Sequence, residues 1–149
     1  MYKTILVPLD GSKRAEAILP HVEELARRYG AKVIFLRIEE DPVILGHDYV
    51  IDLHYYEKER DLRKKEAESY LDGLAGEFKE KNIRIKKIVF YGAVVQSIIK
   101  TAEREGADLI AMASHGRGGL SRVFYGSVAA GVLHLVDRPL LIIRSRGID

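Results

Sequence analysis

Cysteine is absent from this chain of 149 residues. That absence removes a disulfide framework, a thiolate nucleophile and a zinc-finger site together, and says nothing positive about redox compartment. Asn82 is the only asparagine and Gln96 the only glutamine, while Glu, Lys, Arg and Ile are plentiful. Such a bias accompanies proteins that work hot, so a thermophilic source is expected. Neither sign of charge is in excess: 24 Lys and Arg are interspersed with 22 Asp and Glu, for a net charge of +2. No basic face large enough to track a nucleic-acid backbone results, and nucleic acid is not an expected partner. The chain also lacks an apolar leader after Met1, Tyr2 and Lys3 and any run long enough to span a bilayer. A soluble, cytoplasmic protein with no membrane contact is the expectation.

Apolar residues make up 47% of the chain, enough to bury both faces of a sheet in one domain covering residues 1–149. Two element types alternate. Thr4 to Leu9 is an apolar, β-branched run of strand length, which Asp10, Gly11 and Ser12 interrupt with turn and N-cap chemistry. Ala15, Ile18, Val22, Leu25 and Ala26 then recur at helical spacing up to Gly30, with Pro20 inside that run, where a bend is expected. Lys32 to Ile38 reads as a second strand, followed by an irregular segment, Glu39 to Tyr56, and a helix from about Glu57 to Lys81. Glu59 with Arg63 and Asp61 with Lys65 stand four apart on that helix and should pair along a solvated face. Ile83, Ile85, Ile88 and Phe90 mark a third strand, Val95 to Ala102 a helix stopped by Gly106, and Asp108 to Ala113 a fourth strand. A glycine-rich loop, a helix over Ser127 to Val136 and a last strand, Leu140 to Ile143 after Pro139, complete the chain. Strands separated by helices of this length require crossover connections, hence an α/β fold with a parallel sheet and helices on both faces. Ligands of such sheets bind beyond the carboxyl ends of the strands, where the strand order reverses, which directs attention to the loops after strands one and four.

The loop after strand four runs from Ala113 through Ser114, His115, Gly116, Arg117, Gly118 and Gly119 to Gly126 and Ser127. Glycines let backbone amides approach an anion, and Gly126 with Ser127 opens a helix whose free amides and dipole favour negative charge. Ser127 is placed to cap that helix and to donate its hydroxyl to a phosphate, with Arg117 and Arg122 adding charge. The same composition also serves as a plain tight connection, and composition alone leaves both readings open. At the end of strand one, Asp10 and Ser12 likewise suit either a helix cap or, for Asp10, an acceptor for adenine or ribose.

Over essentially its whole length the sequence resembles the universal stress protein family. The resemblance rests on Ile5-Leu6-Val7-Pro8-Leu9-Asp10-Gly11-Ser12, on Leu36-Arg37-Ile38, on the Gly-x-x-Gly-x9-Gly-Ser loop and on Pro139-Leu140-Leu141-Ile142-Ile143. It implies a Rossmann-like, open five-stranded parallel sheet of order 3-2-1-4-5, and a site for ATP, AMP or ADP carrying Mg or Mn. With the loop chemistry, the expected nucleotide contacts are Pro8, Leu9, Asp10, Ile38, Met112, Ala113, Gly116, Arg117, Gly126, Ser127 and Val128. Ala113 departs from the family, which has glycine there, and its methyl is expected to crowd the ribose or phosphates. Arg37 stands where the family often has histidine. The final strand, apolar on both faces, is expected at a sheet edge. The resemblance implies a two-fold homodimer through Leu140–Ile143.

Other chemistries find less support. No Gly-Lys-Ser or Gly-Lys-Thr triplet exists, and no Gly-x-Gly-x-x-Gly follows strand one, which weakens the Walker and dinucleotide classes. A receiver domain would want clustered acids after strand one and an aspartate after strand three, where Tyr91-Gly92 stands instead. His115 lies beside the loop and is expected to face solvent or bond backbone rather than transfer protons. Ser121 and Ser127 have no adjacent histidine and acid. His47, Asp52 and His54 are read as loop residues rather than metal ligands, and Tyr49, Tyr55 and Tyr56 as cover for the sheet or a partner. The reading that results is an adenine-nucleotide-binding stress or signalling protein. A weak ATPase or phosphotransfer enzyme using the same pocket, and an interaction module that has lost the nucleotide, are its rivals.

Overall fold

The structure is a computed structural model that describes residues 1–40, 53–115 and 126–145. In chain order it contains β1 (Thr4–Leu9), α1 (Lys13–Glu16), α2 (Leu19–Tyr29), β2 (Lys32–Glu39), α3 (Leu53–Glu80), β3 (Ile85–Tyr91), α4 (Val94–Glu105), β4 (Leu109–Ala113), α5 (Ser127–Leu135) and β5 (Leu140–Ile143). The strands form one five-stranded sheet of order β3-β2-β1-β4-β5, and each neighbouring pair is parallel. This is the open α/β sheet expected from the alternation, and the strand order reverses between β1 and β4.

Alternation along the strands divides the core in two. Ile5, Val7, Leu9, Val33, Phe35, Leu109 and Ala111 face one layer of helices, packing on Ile18, Val22 and Ala26 and on Leu71, Leu74, Ala75 and Phe78 of α3. Leu6, Ile34, Leu36, Ile110 and Met112 face the other, against Ile98 and Ala102 of α4 and Ala129 and Val132 of α5. Because β1, β2 and β4 are covered on both faces, they read as continuous apolar runs.

Pro20 acts more strongly than a bend. The expected single helix is broken after Glu16, and α2 restarts with Pro20 in its first turn, where a missing N–H costs no intrahelical bond. Gly30 ends α2 and Gly106 ends α4, both left-handed, at φ +64° and +63°. Helix α3 begins at Leu53, four residues earlier than the expected Glu57, and Arg63 pairs with Glu59 at 3.5 Å. Ile83 precedes β3 instead of belonging to it; its N–H donates to the Phe78 carbonyl at 3.2 Å and closes the end of α3.

Candidate functional site

Two strands of the sheet part company where the order reverses. Pairing of β1 with β2 continues to the last residue, Leu9↔Arg37, and pairing of β4 with β5 to Ala113↔Ile143. Between β1 and β4, however, only Ile5↔Leu109 and Leu6↔Ile110 are joined. Among the described residues, both strands thus run on for a few residues paired with their outer neighbours alone. Around this gap the alternation of the sheet gathers four of the expected contacts on one face. Pro8 lies on the face of Leu6, and Ile38, Met112 and Val128 belong to the core layer of α4 and α5. Leu9 belongs to the opposite layer, and Ala113 is paired with Ile143, which packs there too. Leu9 and Ala113 therefore offer backbone, not side chain, to anything bound on the α4/α5 face. The methyl expected to crowd a ligand is directed away from that face.

The mouth of the gap is built from the two strand-end turns. Asp10 follows β1, and its Oδ1 accepts from the Ser12 N–H at 2.9 Å and from the Ser12 hydroxyl at 2.6 Å. Ser12 caps α1, its Oγ accepting from the Ala15 N–H at 3.2 Å. The capping expected here belongs to Ser12, while Asp10 braces Ser12.

On the β4 side the chain leaves at His115 and re-enters at Gly126. The Gly126 N–H donates to the Ser114 carbonyl at 2.7 Å, and a Cβ placed on Gly126 would stand 2.6 Å from the same oxygen. Only glycine fits so close an approach of backbone to backbone. Gly126 also occupies the N-cap of α5, without a side-chain cap bond, and Ser127 is the first helical residue. This corrects the expectation that Ser127 caps the helix: its side chain is exposed at the first turn instead. Since the Gly126 amide is spent on Ser114, the donors that α5 can present to an anion are the amides of its own first turn, beginning with Ser127. Gly116, Arg117, Ser121 and Arg122 lie outside the described residues, as do His47, Tyr49 and Asp52.

His115 differs from expectation. It is 7% exposed, its Nδ1 lies 3.0 Å from the Ser114 hydroxyl, and its buried Nε2 has no hydrogen-bond partner among the described residues. Its carbonyl faces the Ser145 hydroxyl at 3.5 Å, and that hydroxyl donates to the Arg14 carbonyl at 2.7 Å, tying the root of the loop to α1.

The sequence reading missed a polar cluster on the opposite face. Arg37 pairs with Glu39 at 3.0 Å and lies over the Tyr70 ring, 5.2 Å from its centroid. The Tyr70 hydroxyl donates to Glu16 at 3.0 Å. Burial first, and then the bond to Glu16, push the Tyr70 hydroxyl well above the ordinary tyrosine range, so it remains a donor throughout neutral pH. Arg37 and Glu39, two apart on one strand and so on one face, were the available signal. Among the described residues no group of three or more His, Cys, Asp or Glu could hold a metal ion. None of the described helices is long and apolar enough to cross a membrane.

An open parallel sheet whose β1–β4 pairing stops at the order reversal, with the start of α5 tied to the end of β4, places these residues at the carboxyl edge where α/β sheets receive ligands. Comparison with known proteins goes further. The profile of the universal stress protein family matches residues 1–144, and the chain belongs to that family. Universal stress protein MJ0577 of Methanocaldococcus jannaschii is 30% identical over 98% of this chain and 97% of its own length. The solved structure of MJ0577 superposes with a TM-score of 0.88 at 28% identity, covering 99% of each chain. A universal stress protein solved in complex with cAMP shares the fold at a TM-score of 0.68 and 20% identity, covering 97% of this chain and 98% of its own.

Proposed function

We propose that this chain binds an adenine nucleotide, ATP, ADP or AMP, in the crevice between β1 and β4, and acts as a nucleotide-responsive stress or signalling protein. The observation that carries the reading is the first turn of α5: Gly126 is tied to the end of β4 through the Ser114 carbonyl, and no side chain among the described residues caps the helix amides that begin at Ser127. Helix amides left in this way, together with the helix dipole, suit a phosphate group. Pro8, Ile38, Met112 and Val128 supply an apolar face on which a base can rest, and Asp10 supplies a carboxylate for ribose or adenine. Gly116 and Arg117, expected contacts by their sequence, belong to the same proposal. Mg or Mn belongs to the proposal as the counter-ion of the bound phosphates.

A homodimer is part of the same proposal. Strand β5 ends the sheet with four half-buried apolar residues, and Leu133 and Leu135 of the preceding helix are 49% and 51% exposed. A second copy would cover both. Sedimentation at micromolar concentration should find the dimer mass; a monomer alone removes it.

Thermal unfolding with added nucleotide tests the binding. At one hundred times Kd the melting temperature should rise by roughly 5–10 °C. No shift with millimolar ATP, ADP or AMP overturns the reading.

A further inference from the structure

We infer that Pro8 is a positioning residue, which keeps the crevice between β1 and β4 open by withholding one backbone N–H. The Lys3 carbonyl accepts from Lys32 on the β2 side, and the Thr4 carbonyl accepts from Asp108 on the β4 side. Successive residues of a strand direct their backbone groups to opposite neighbours, so Leu6 and Pro8, like Thr4, face β4. On β4, Ile110 and Ser114 donate to Pro139 and Ile143 on the β5 side, which leaves Leu109, Ala111 and Ala113 facing β1. The register Leu6↔Ile110 therefore sets the next rung as an N–H of residue 8 to the carbonyl of Ala111. Proline has no such N–H. The β1–β4 ladder stops at that register, although β1 continues to Leu9 and β4 to Ala113, each still paired on its outer side.

A proline in a central strand is ordinarily excluded, because it forfeits a ladder bond. Here the forfeited bond is the one that would fasten together the two strand ends between which the nucleotide is proposed to lie. The inference rests on that reading of the site for its purpose, and on the pairing pattern for its mechanism. It assigns Pro8 a role separate from any contact its ring makes: the amide it lacks matters, not only the surface it offers.

The test separates those two roles. Pro8→Val restores the N–H on a residue suited to a strand, and a second protein carries 2-hydroxy-3-methylbutanoic acid at position 8 by nonsense suppression, which has the valine side chain but an ester oxygen in place of N–H. The amide introduced at position 8 by Pro8→Val should exchange slowly with solvent in the nucleotide-free protein, and the affinity of this variant for ATP should fall about tenfold, as one added rung would require. The ester protein, which carries the same side chain without the N–H, should bind ATP about tenfold more tightly than Pro8→Val, whatever both lose with the proline ring. Rapid exchange of the introduced amide overturns the inference, as does equal binding by the amide and ester proteins. Pro8→Ala, read in the same way, serves if valine prevents folding. If the native chain binds none of ATP, ADP and AMP, the nucleotide reading fails, and protection of the amide at position 8 alone decides whether the proline holds the strands unfastened.

Discussion

At the amino edge of the sheet, charged side chains occupy the loose backbone groups. The Asp108 carboxylate accepts from the N–H groups of Lys3 and Thr4 at 2.9 to 3.3 Å, Arg138 donates to the carbonyls of Ala102 and Ala107 at 3.0 and 2.8 Å, and Arg84 donates to that of Gly30 at 3.1 Å. At the carboxyl edge side chains serve the turn after β1, where Asp10 and Ser12 hold the start of α1, whereas the return of the chain into α5 is left to backbone and glycine among the described residues. Among the described residues no side chain caps the first turn of α5, the β1–β4 ladder stops early, and the two ends of the loop are joined by Gly126 and Ser114 alone. One edge is closed by side chains for stability. At the other, the first-turn amides of α5 have no side-chain cap among the described residues, which suits the carboxyl edge of such a sheet to a ligand of complementary charge.

Replacing Gly126 by alanine should break the carboxyl edge most severely. Its φ of −66° suits any residue, so backbone strain is not at issue; the added Cβ, 2.6 Å from the Ser114 oxygen, is. The expected loss is about 3 kcal/mol in urea unfolding, as for an overpacked interior, together with the nucleotide-induced rise in melting temperature. A variant of native stability would mean that the loop root can yield. Arg138→Met probes the amino edge in turn. Losing two charged bonds to carbonyls should cost about 2 kcal/mol of unfolding free energy while leaving nucleotide affinity unchanged. A parallel loss of affinity would show that the two edges are not independent.

Much of this architecture was legible because buried parallel strands are written as apolar runs: Ile5-Leu6-Val7, Val33 to Leu36 and Leu109 to Ala113 need no partner to be recognised. The start of α3 was not, since residues 54–66 bury nothing and so carry no period to read. Pro20 was seen as a disturbance, but whether a helix bends or restarts depends on the packing of Ile18 and Val22. Of the site, Gly126 and Asp10 could be singled out by spacing and turn chemistry. Their mutual roles could not: that Ser12 takes the cap, that the Gly126 amide is spent on Ser114, and that the Ala113 methyl points to the far face all follow from register. Asp108 and Arg138, whose backbone partners lie 31 to 105 residues away, left no trace in local pattern.

The smallest expected effect again belongs to the amino edge and concerns pH. Lys86 on β3 donates to both carboxylate oxygens of Glu105 at the end of α4, at 3.0 and 2.8 Å, and Arg104 lies 3.6 Å away. The Lys86 bond, foremost, holds the Glu105 carboxyl below the usual glutamate value of 4.5. A carboxylate whose folded value is lowered stabilises the fold in full above its unfolded value, and that contribution disappears as pH falls through the folded one. Lys86 is about half exposed, so water and salt screen the pair and its worth is about 0.5 kcal/mol. Glu105→Gln should therefore lower the urea midpoint slightly at pH 7, and the gap from the native chain should close as pH falls below the glutamate range. A gap that stays constant on acidification would mean that Glu105 contributes through packing rather than charge, and that Lys86 leaves this corner of the amino edge open.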